Sequence, residues 1–91
     1  MNKTIVIGRL VADPVMRGNS CHFIIANTFF NGGKEDIVTY PIKAINRQAQ
    51  VCMEYLHKGE LCCIEGSVIT ENEENTIVPD RVVFLTPAKK H

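Results

Sequence analysis

Lysines, arginines and exposed aromatic rings are the side chains of this chain that could bind a charged, ring-bearing ligand. Ten lysines and arginines balance ten aspartates and glutamates, so the formal net charge is zero. Cations bind phosphates and rings stack on bases, a combination typical of proteins that hold single-stranded nucleic acid. A neutral chain can still gather its cations on one surface. The composition therefore excludes a strongly basic protein but leaves room for a local groove.

Residues that could catalyse a reaction follow no recognisable pattern. The chain has no serine, histidine and aspartate in a known catalytic frame, no glycine-rich phosphate loop and no H-E-x-x-H motif. Glu71, Glu73 and Glu74 alternate with asparagines at a predicted hairpin tip, where a solvated loop is a simpler interpretation than a carboxylate pair or metal ligands. We expect no enzymatic activity, no cofactor and no small-molecule substrate.

The cysteines indicate a reduced protein. Cys21, Cys52, Cys62 and Cys63 form no C-x-x-C spacing, and the adjacent strand residues Cys62 and Cys63 must point to opposite faces. With no signal peptide, buried reduced thiols in a cytoplasmic protein are expected. Zinc binding by Cys21 and His22 has no supporting pattern, so no metal is predicted. No apolar run approaches the ~18 residues that a membrane span needs.

Alternation and turn residues predict five strands and one helix, the plan of an OB-fold, which is a five-stranded Greek-key barrel. The helix falls between the third and fourth strands. The predicted domain covers residues 1–86, and residues 87–91 form a short C-terminal extension. The strands are predicted at residues 3–11, 21–30, 37–45, 61–70 and 76–85, and the helix at residues 47–57.

The first predicted strand is apolar on both sides. Ile5, Ile7 and Val11 share the side that does not face the core, and an uncovered apolar strand invites edge pairing. A domain this small buries only about 60% of its unfolded surface, so a partner subunit is the expected further source of stability. We predict a homodimer or homotetramer with these residues at the subunit interface. Gly8 is expected to mark a bulge or tight bend at the barrel closure, and Pro41 an edge position or bulge.

The helix is predicted from its caps and its apolar stripe. Asn46 is expected to be the N-cap and Gly59 the left-handed C-terminal stop. Four residues at helical spacing are predicted to pack over an open end of the barrel: Ala49, Cys52, Tyr55 and Leu56.

Two segments resemble a known family. Residues 1–17 read MNKTIVIGRLVADPVMR and residues 54–66 read EYLHKGELCCIEG. They are similar to bacterial single-stranded DNA-binding proteins (the SSB family), whose corresponding segments run roughly N-K-hydrophobic-x-L-x-G-x-L-x-x-D-P-x-x-R and E-Y-L-x-K-G-x-x-V-x-V-E-G. The resemblance covers approximately residues 1–85. It implies an OB-fold that binds single-stranded DNA with little sequence preference, in replication, recombination or repair.

The resemblance also implies which cations hold DNA. Lys43 shares a strand face with Thr39, Pro41 and Ile45, and this is the face that holds nucleic acid in the family. Four further residues match basic positions of the family: Lys3, Arg17, Arg47 and Lys58.

Most of the family's stacking rings are absent. The chain has no tryptophan, Thr39 and Ile45 occupy two usual aromatic positions, and a third falls near Glu73. Phe30, at the end of the second predicted strand, is the ring that matches. The parity of Tyr40 predicts that it faces the core. We therefore expect DNA binding that is weaker than in tryptophan-bearing relatives.

An alternative function stays open. An OB-fold adaptor could act mainly through protein contacts in a replication complex, as primosomal accessory proteins of the PriB type do. Sparse rings and a chain that stops at His91, without the acidic tail of many family members, favour the adaptor. Lys43, Arg47 and Lys58 favour the DNA binder. We predict DNA binding as the main activity, with replication proteins as candidate partners.

Overall fold

The computed structural model describes residues 3–86. The predicted extension at residues 87–91 lies outside them. Within the described range, no helix is long and apolar enough to cross a membrane. The elements are β1 (Lys3–Leu10), β2 (Val15–Arg17), β3 (Ser20–Asn31), β4 (Lys34–Ile45), α1 (Asn46–Tyr55), β5 (Leu61–Glu71) and β6 (Glu74–Phe84).

Five of the strands close into a barrel. β1 is antiparallel to both β3 and β5, β3 pairs with β4 and β5 with β6, and β4 meets β6 in parallel at Ile42 and Ile77. The helix lies between the third and fourth barrel strands, β4 and β5, which confirms the OB-fold prediction. β2 was not predicted from the sequence, because three residues are too few to show alternation. β2 pairs only with β3, outside the barrel.

Two glycines allow backbones to approach closely. A Cβ on Gly8 would lie 2.7 Å from the carbonyl oxygen of Ala26, where β1 meets β3. A Cβ on Gly66 would clash with the carbonyl oxygen of Val78, and the β5–β6 register shifts between Glu65 and Gly66. Gly8 was expected to mark a bulge or tight bend, but the β1–β5 ladder runs through it without a register shift, and its role is the close approach of β1 to β3. The register shift falls at Gly66. One edge of β4 pairs with β3, and the other edge pairs in register with β6 at a single described position, Ile42, next to Pro41. This nearly open edge is where a proline is expected in a strand.

The core combines inward residues of the strands with the helix stripe. Ala49, Cys52 and Leu56 are buried with the barrel interior, as predicted. Tyr55 does not join them: it is 56% exposed, with its ring centroid 5.8 Å from that of Phe84. The prediction for Tyr55 was wrong because, at about 100° per residue, Tyr55 lies at the edge of the stripe formed by Ala49, Cys52 and Leu56, where its ring meets Phe84 instead of the core. Tyr40 is half-buried and packs against the core.

Both helix boundaries differ from the prediction. Asn46 is not a side-chain cap: its backbone φ is 54°, its N–H donates to the Asn19 carbonyl and its Oδ1 accepts from Asn19 Nδ2. The helix ends at Tyr55, and the Leu56 N–H donates to the Cys52 carbonyl. Gly59 has the expected left-handed φ of 88°, but in the turn before β5, where its N–H donates to the Leu10 carbonyl.

The two long hairpins end in tight turns. Gly32 and Gly33 both have positive φ, so β4 begins at Lys34 rather than at the predicted residue 37. Asn72 and Glu73 have φ values of 50° and 64° at the tip of the β5–β6 hairpin. Positive φ at both central residues is typical of tight hairpin turns, because the twist of such a turn matches the right-handed twist of the two strands that it joins.

Candidate nucleic-acid interface

The outer face of β3 and β4 is a ladder of cross-strand pairs. Along each strand, the outward-facing residues of these pairs alternate with buried residues such as Phe23 and Ile42. Lys43 shares this face with Thr39, Pro41 and Ile45, as the alternation predicted. The outward pairs are His22 with Lys43, Ile24 with Pro41, Ala26 with Thr39, Thr28 with Ile37, and Phe30 with Glu35.

A groove of about 380 Å³ crosses this face. Its floor contains His22, Ile24 and Pro41. One wall is the β1–β2 loop with β2, and the other is the start of β6. The wall residues are Val11, Ala12, Asp13, Val15 and Arg17 on the first side, and Glu74 and Thr76 on the second. The groove therefore has an apolar floor and charged walls, and it is open to solvent along its length.

Lys43 is already engaged in an ion pair. Its Nζ lies 3.2 Å from Oε1 and 3.1 Å from Oε2 of Glu71, on the neighbouring hairpin. Glu71 is therefore not the freely solvated loop residue that the sequence indicated. The sequence could not reveal the pair, because it depends on how the β5–β6 hairpin leans over β4.

His22 is a groove residue that the sequence analysis did not place there. It stands between Val15 and Lys43 in the register. Burial lowers its pKa below the ordinary 6.5, the cations of Arg17 and Lys43 lower it further, and Glu71 opposes them. The signal was available: His22 has the same strand parity as Phe30.

Lys58 lies beside the same wall. Its backbone N–H donates to Oδ1 of Asp13 at 2.8 Å, and Nη1 of Arg9 donates to the carbonyl of Gly59 at 3.0 Å. The first bond holds the turn before β5 against the β1–β2 loop, and the second holds it against β1. The exposed Lys58 side chain thus starts from a fixed backbone next to the groove.

The other two predicted cations lie elsewhere. Arg47 is exposed in the first helical turn and lines a separate shallow hollow with Val82 and Phe84. Lys3 pairs with Asp80, and that hydrogen bond and charge raise the pKa of Lys3. Neither residue lines the groove.

Phe30 stands at the far end of the same sheet face. It is 76% exposed, the most open of the large apolar side chains in the described range. Phe29 beside it is 43% exposed and points to the opposite face of the hairpin. Phe30 is thus available to stack on a base, while Phe29 is a neighbouring ring that faces away from the ladder.

The comparisons with known proteins agree with this geometry. The chain matches the model of the Single-strand binding protein family over residues 1–83. It belongs to this family. Single-stranded DNA-binding protein 1 of Staphylococcus aureus (strain MSSA476) is 33% identical over 96% of this chain and 67% of its own length.

Relatives in other genera give the same result. The Single-stranded DNA-binding protein of Caldanaerobacter subterraneus is 33% identical over 96% of this chain and 69% of its own length. Single-stranded DNA-binding protein 2 of Clostridium acetobutylicum is 32% identical over 93% of this chain and 77% of its own length. The family is one of binding proteins, and the chain is not an enzyme.

Two of the three predicted interface residues share one surface. Ile5 and Ile7 point outward from β1 and are 65% and 46% exposed. They continue into an outer face of β5 and β6, where Ile7 is in register with Cys63 and Cys63 with Val83. Val11 is separated from them: it follows β1, and it lines the groove.

The thiols are free, and three of them are core residues. Cys21, Cys52 and Cys62 are buried, whereas Cys63 is half-buried on the outer face of β5. Burial raises the pKa of Cys52 to about 12 and that of Cys62 to about 11, so both are poor nucleophiles and metal ligands at neutral pH. Within residues 3–86, no group of three or more histidines, cysteines or carboxylates is placed to hold a metal ion.

Proposed function

We propose that this chain binds single-stranded DNA along the outer face of β3 and β4, with the groove at one end of the path and Phe30 at the other. Membership of the Single-strand binding protein family and relatives named for single-stranded DNA binding support the ligand. We place the DNA on this face because its outward-facing residues continue along the paired strands from Arg17 to Phe30.

The residues divide the work by their chemistry. Arg17 carries a cation on one wall of the groove, and Lys58 carries another beside that wall; between residues 3 and 86 neither forms an ion pair. Phosphates can therefore reach them without displacing a carboxylate. Lys43 contributes after it exchanges Glu71 for a phosphate. Phe30 stacks a base, a contact worth about 1–3 kcal/mol in proteins of this kind, single-strand binding proteins included.

Titration of a fluorescent oligo-dT at several salt concentrations tests this proposal. For single strands, log affinity falls with log salt by about 0.7 per phosphate neutralised. Arg17→Ala is expected to weaken binding and to flatten this slope by about that amount. Lys34→Ala is the control, because Lys34 is exposed on the β3–β4 hairpin and its strand parity places it on the face opposite to Phe30 and Lys43.

The titration also distinguishes DNA binding from the adaptor function. If Arg47→Ala lost as much oligo-dT affinity as Arg17→Ala, the DNA path would extend to the helix. No binding by the unaltered protein at low salt would overturn the proposal, and the adaptor function in a replication complex would then be the one to pursue. DNA binding of this kind also leads us to expect the protein in the cytoplasm, with replication proteins as its neighbours.

We further infer that a second copy of this chain covers the outer face of β1, β5 and β6. Ile5 and Ile7 are exposed there beside the half-buried Cys63 and Val83. Glu65 and Arg81 lie in register beside Ile5, so these apolar side chains have charged neighbours, a combination that marks protein interaction sites. A homodimer or homotetramer would remove this face from water.

Sedimentation measures this directly. Ile5→Glu combined with Ile7→Glu is expected to yield monomers, because each carboxylate would be desolvated at the contact. Ile37→Glu, on the β3–β4 hairpin and 62% exposed, is a matched control that should leave assembly unchanged. An unchanged oligomer in the double variant would place the contact elsewhere.

A further inference from the structure

Arg17 is the cation that lines the groove in the described residues, and Glu74 stands on the opposite wall. Asp13 shares the wall of Arg17, and its Oδ1 accepts the backbone N–H of Lys58. Glu74 stands on the β6 wall, and no ion pair joins it to another residue between residues 3 and 86. Phosphates are attracted to Arg17 and repelled by Glu74. We therefore infer that the backbone of a bound strand follows β2 and that the base edge points towards Glu74.

We propose that the groove is a base subsite that prefers cytosine over thymine, with Glu74 as the residue that sets the preference. This rests on the proposed DNA binding and adds a base preference to it. The apolar floor of Ile24 and Pro41 gives the base a surface to lie on, and the groove volume falls within the range of small-ligand clefts.

The preference follows from the hydrogen-bonding groups of the bases. An ionised carboxylate only accepts hydrogen bonds. Cytosine presents an exocyclic amine that donates to it, a pairing found where glutamate or aspartate contacts cytosine N4. Thymine presents a carbonyl oxygen at the same place, so two acceptors would face each other. Glu71 is paired with Lys43, and Asp13 lies on the Arg17 wall where its Oδ1 accepts the Lys58 N–H, so Glu74 is the carboxylate on the side of the base edge.

Competition between short homopolymers against one labelled oligonucleotide tests the subsite. The experiment compares oligo-dC, oligo-dT and oligo-dU at mildly alkaline pH, where cytosine is unprotonated. Because the groove is open to solvent, the preference for dC over dT is expected near the low end of base discrimination, roughly fivefold. Oligo-dU lacks both the methyl group and the amine, so it should bind like oligo-dT if the amine is what Glu74 reads.

Two variants complete the design. Glu74→Gln replaces the carboxylate by an amide that can also donate, so it should remove the preference, and it should tighten oligo-dT binding because a negative charge leaves the groove. Glu73→Gln makes the same change at the hairpin tip, outside the groove lining, and should keep the preference.

Each outcome decides between the claims. Equal binding of dC and dT by the unaltered protein would overturn the subsite but leave DNA binding standing. A dU affinity equal to that of dC would assign the preference to the thymine methyl group and overturn the role of Glu74. Failure of every oligonucleotide to bind would instead overturn the proposed function itself.

Discussion

The ammonium of Lys43 contacts both carboxylate oxygens of Glu71, at 3.1 Å and 3.2 Å. The pair joins the outer face of β4 to the end of β5, on the face where we place the DNA. A phosphate that approaches Lys43 must therefore compete with a carboxylate that is already there. Lys43 therefore contributes much less free energy to DNA binding than an unpaired lysine at the same position would.

Removing that competitor should strengthen DNA binding. Glu71→Gln frees Lys43 for a phosphate. Partly exposed ion pairs are worth up to ~1 kcal/mol, so we expect roughly two- to fivefold tighter oligo-dT binding. The salt slope should steepen by about 0.7. Glu73→Gln is the control for removal of one negative charge from the same hairpin. Equal tightening in both variants would mean a general charge effect and not release of Lys43.

Phe30 should contribute by stacking and not by charge. Phe30→Ala is expected to weaken oligonucleotide binding by about 1–3 kcal/mol with little change in the salt slope, because stacking releases few ions. Phe29→Ala removes the same ring from the opposite face of the strand and should have a small effect. Fluorescence titrations at matched salt measure both. A larger loss at Phe29 would move the DNA path to the other face of the hairpin.

DNA affinity should rise as the pH falls, through His22. Burial, Arg17 and Lys43 lower its pKa below 6.5, so the imidazole of the free protein is neutral at neutral pH. A phosphate in the groove favours the imidazolium, so binding takes up a proton. Between about pH 7.5 and 5.5 the unaltered protein should gain affinity more steeply than His22→Gln. His57→Gln is the control, and a pH profile that His22→Gln leaves unchanged would contradict the assignment.

The same lowered pKa has the opposite effect on stability. The unfolded chain takes up the proton at a higher pH than the folded chain does. The contribution of His22 to the free energy of unfolding is therefore present above pH 6.5 and lost as the pH falls below it. Acid should thus destabilise the free protein while it tightens the complex.

Gly66 should be the most sensitive glycine of the barrel. A methyl group there would meet the backbone of Val78 and Pro79, which cannot rotate away. Gly66→Ala is expected to lower the free energy of unfolding by about 2 kcal/mol or more, at the upper end of overpacking. Urea denaturation at fixed protein concentration measures this, with Ser67→Ala as the neighbouring control. A change no larger than that of the control would show that β5 and β6 can separate at the register shift.

The fold was predictable because its signals are local. Alternation, the two-glycine turn and the helix stripe placed all five barrel strands and the helix. The errors fell where tertiary geometry overrode a local signal. Asn46 bonds to Asn19 instead of capping the helix, and Gly59 turns the chain four residues after the helix ends.

The candidate site was predictable only in part. Strand parity placed Lys43 and Phe30 on one face, and it would also have placed His22. The partners of Lys43 and Lys3 could not be foreseen, because Glu71 and Asp80 lie far away in the sequence and reach them only through strand pairing. Val11 has the parity of Ile5 and Ile7, but the strand stops before it and the chain turns into the groove wall.

The strands fall into two groups, here called leaves, which meet at two short strand pairings, here called seams: β1 with β3 and β4 with β6. β2, β3 and β4 form one leaf, and β1, β5 and β6 form the other. Between the leaves, β4 and β6 are in register at one position, and β1 and β3 at two. Side-chain packing therefore holds the two leaves together more than backbone pairing does. Glu74 and Thr76 belong to one leaf, and Ile24 and Pro41 to the other. A small rocking of the leaves would widen or narrow the groove, and amide hydrogens at the seams should exchange before those inside either leaf.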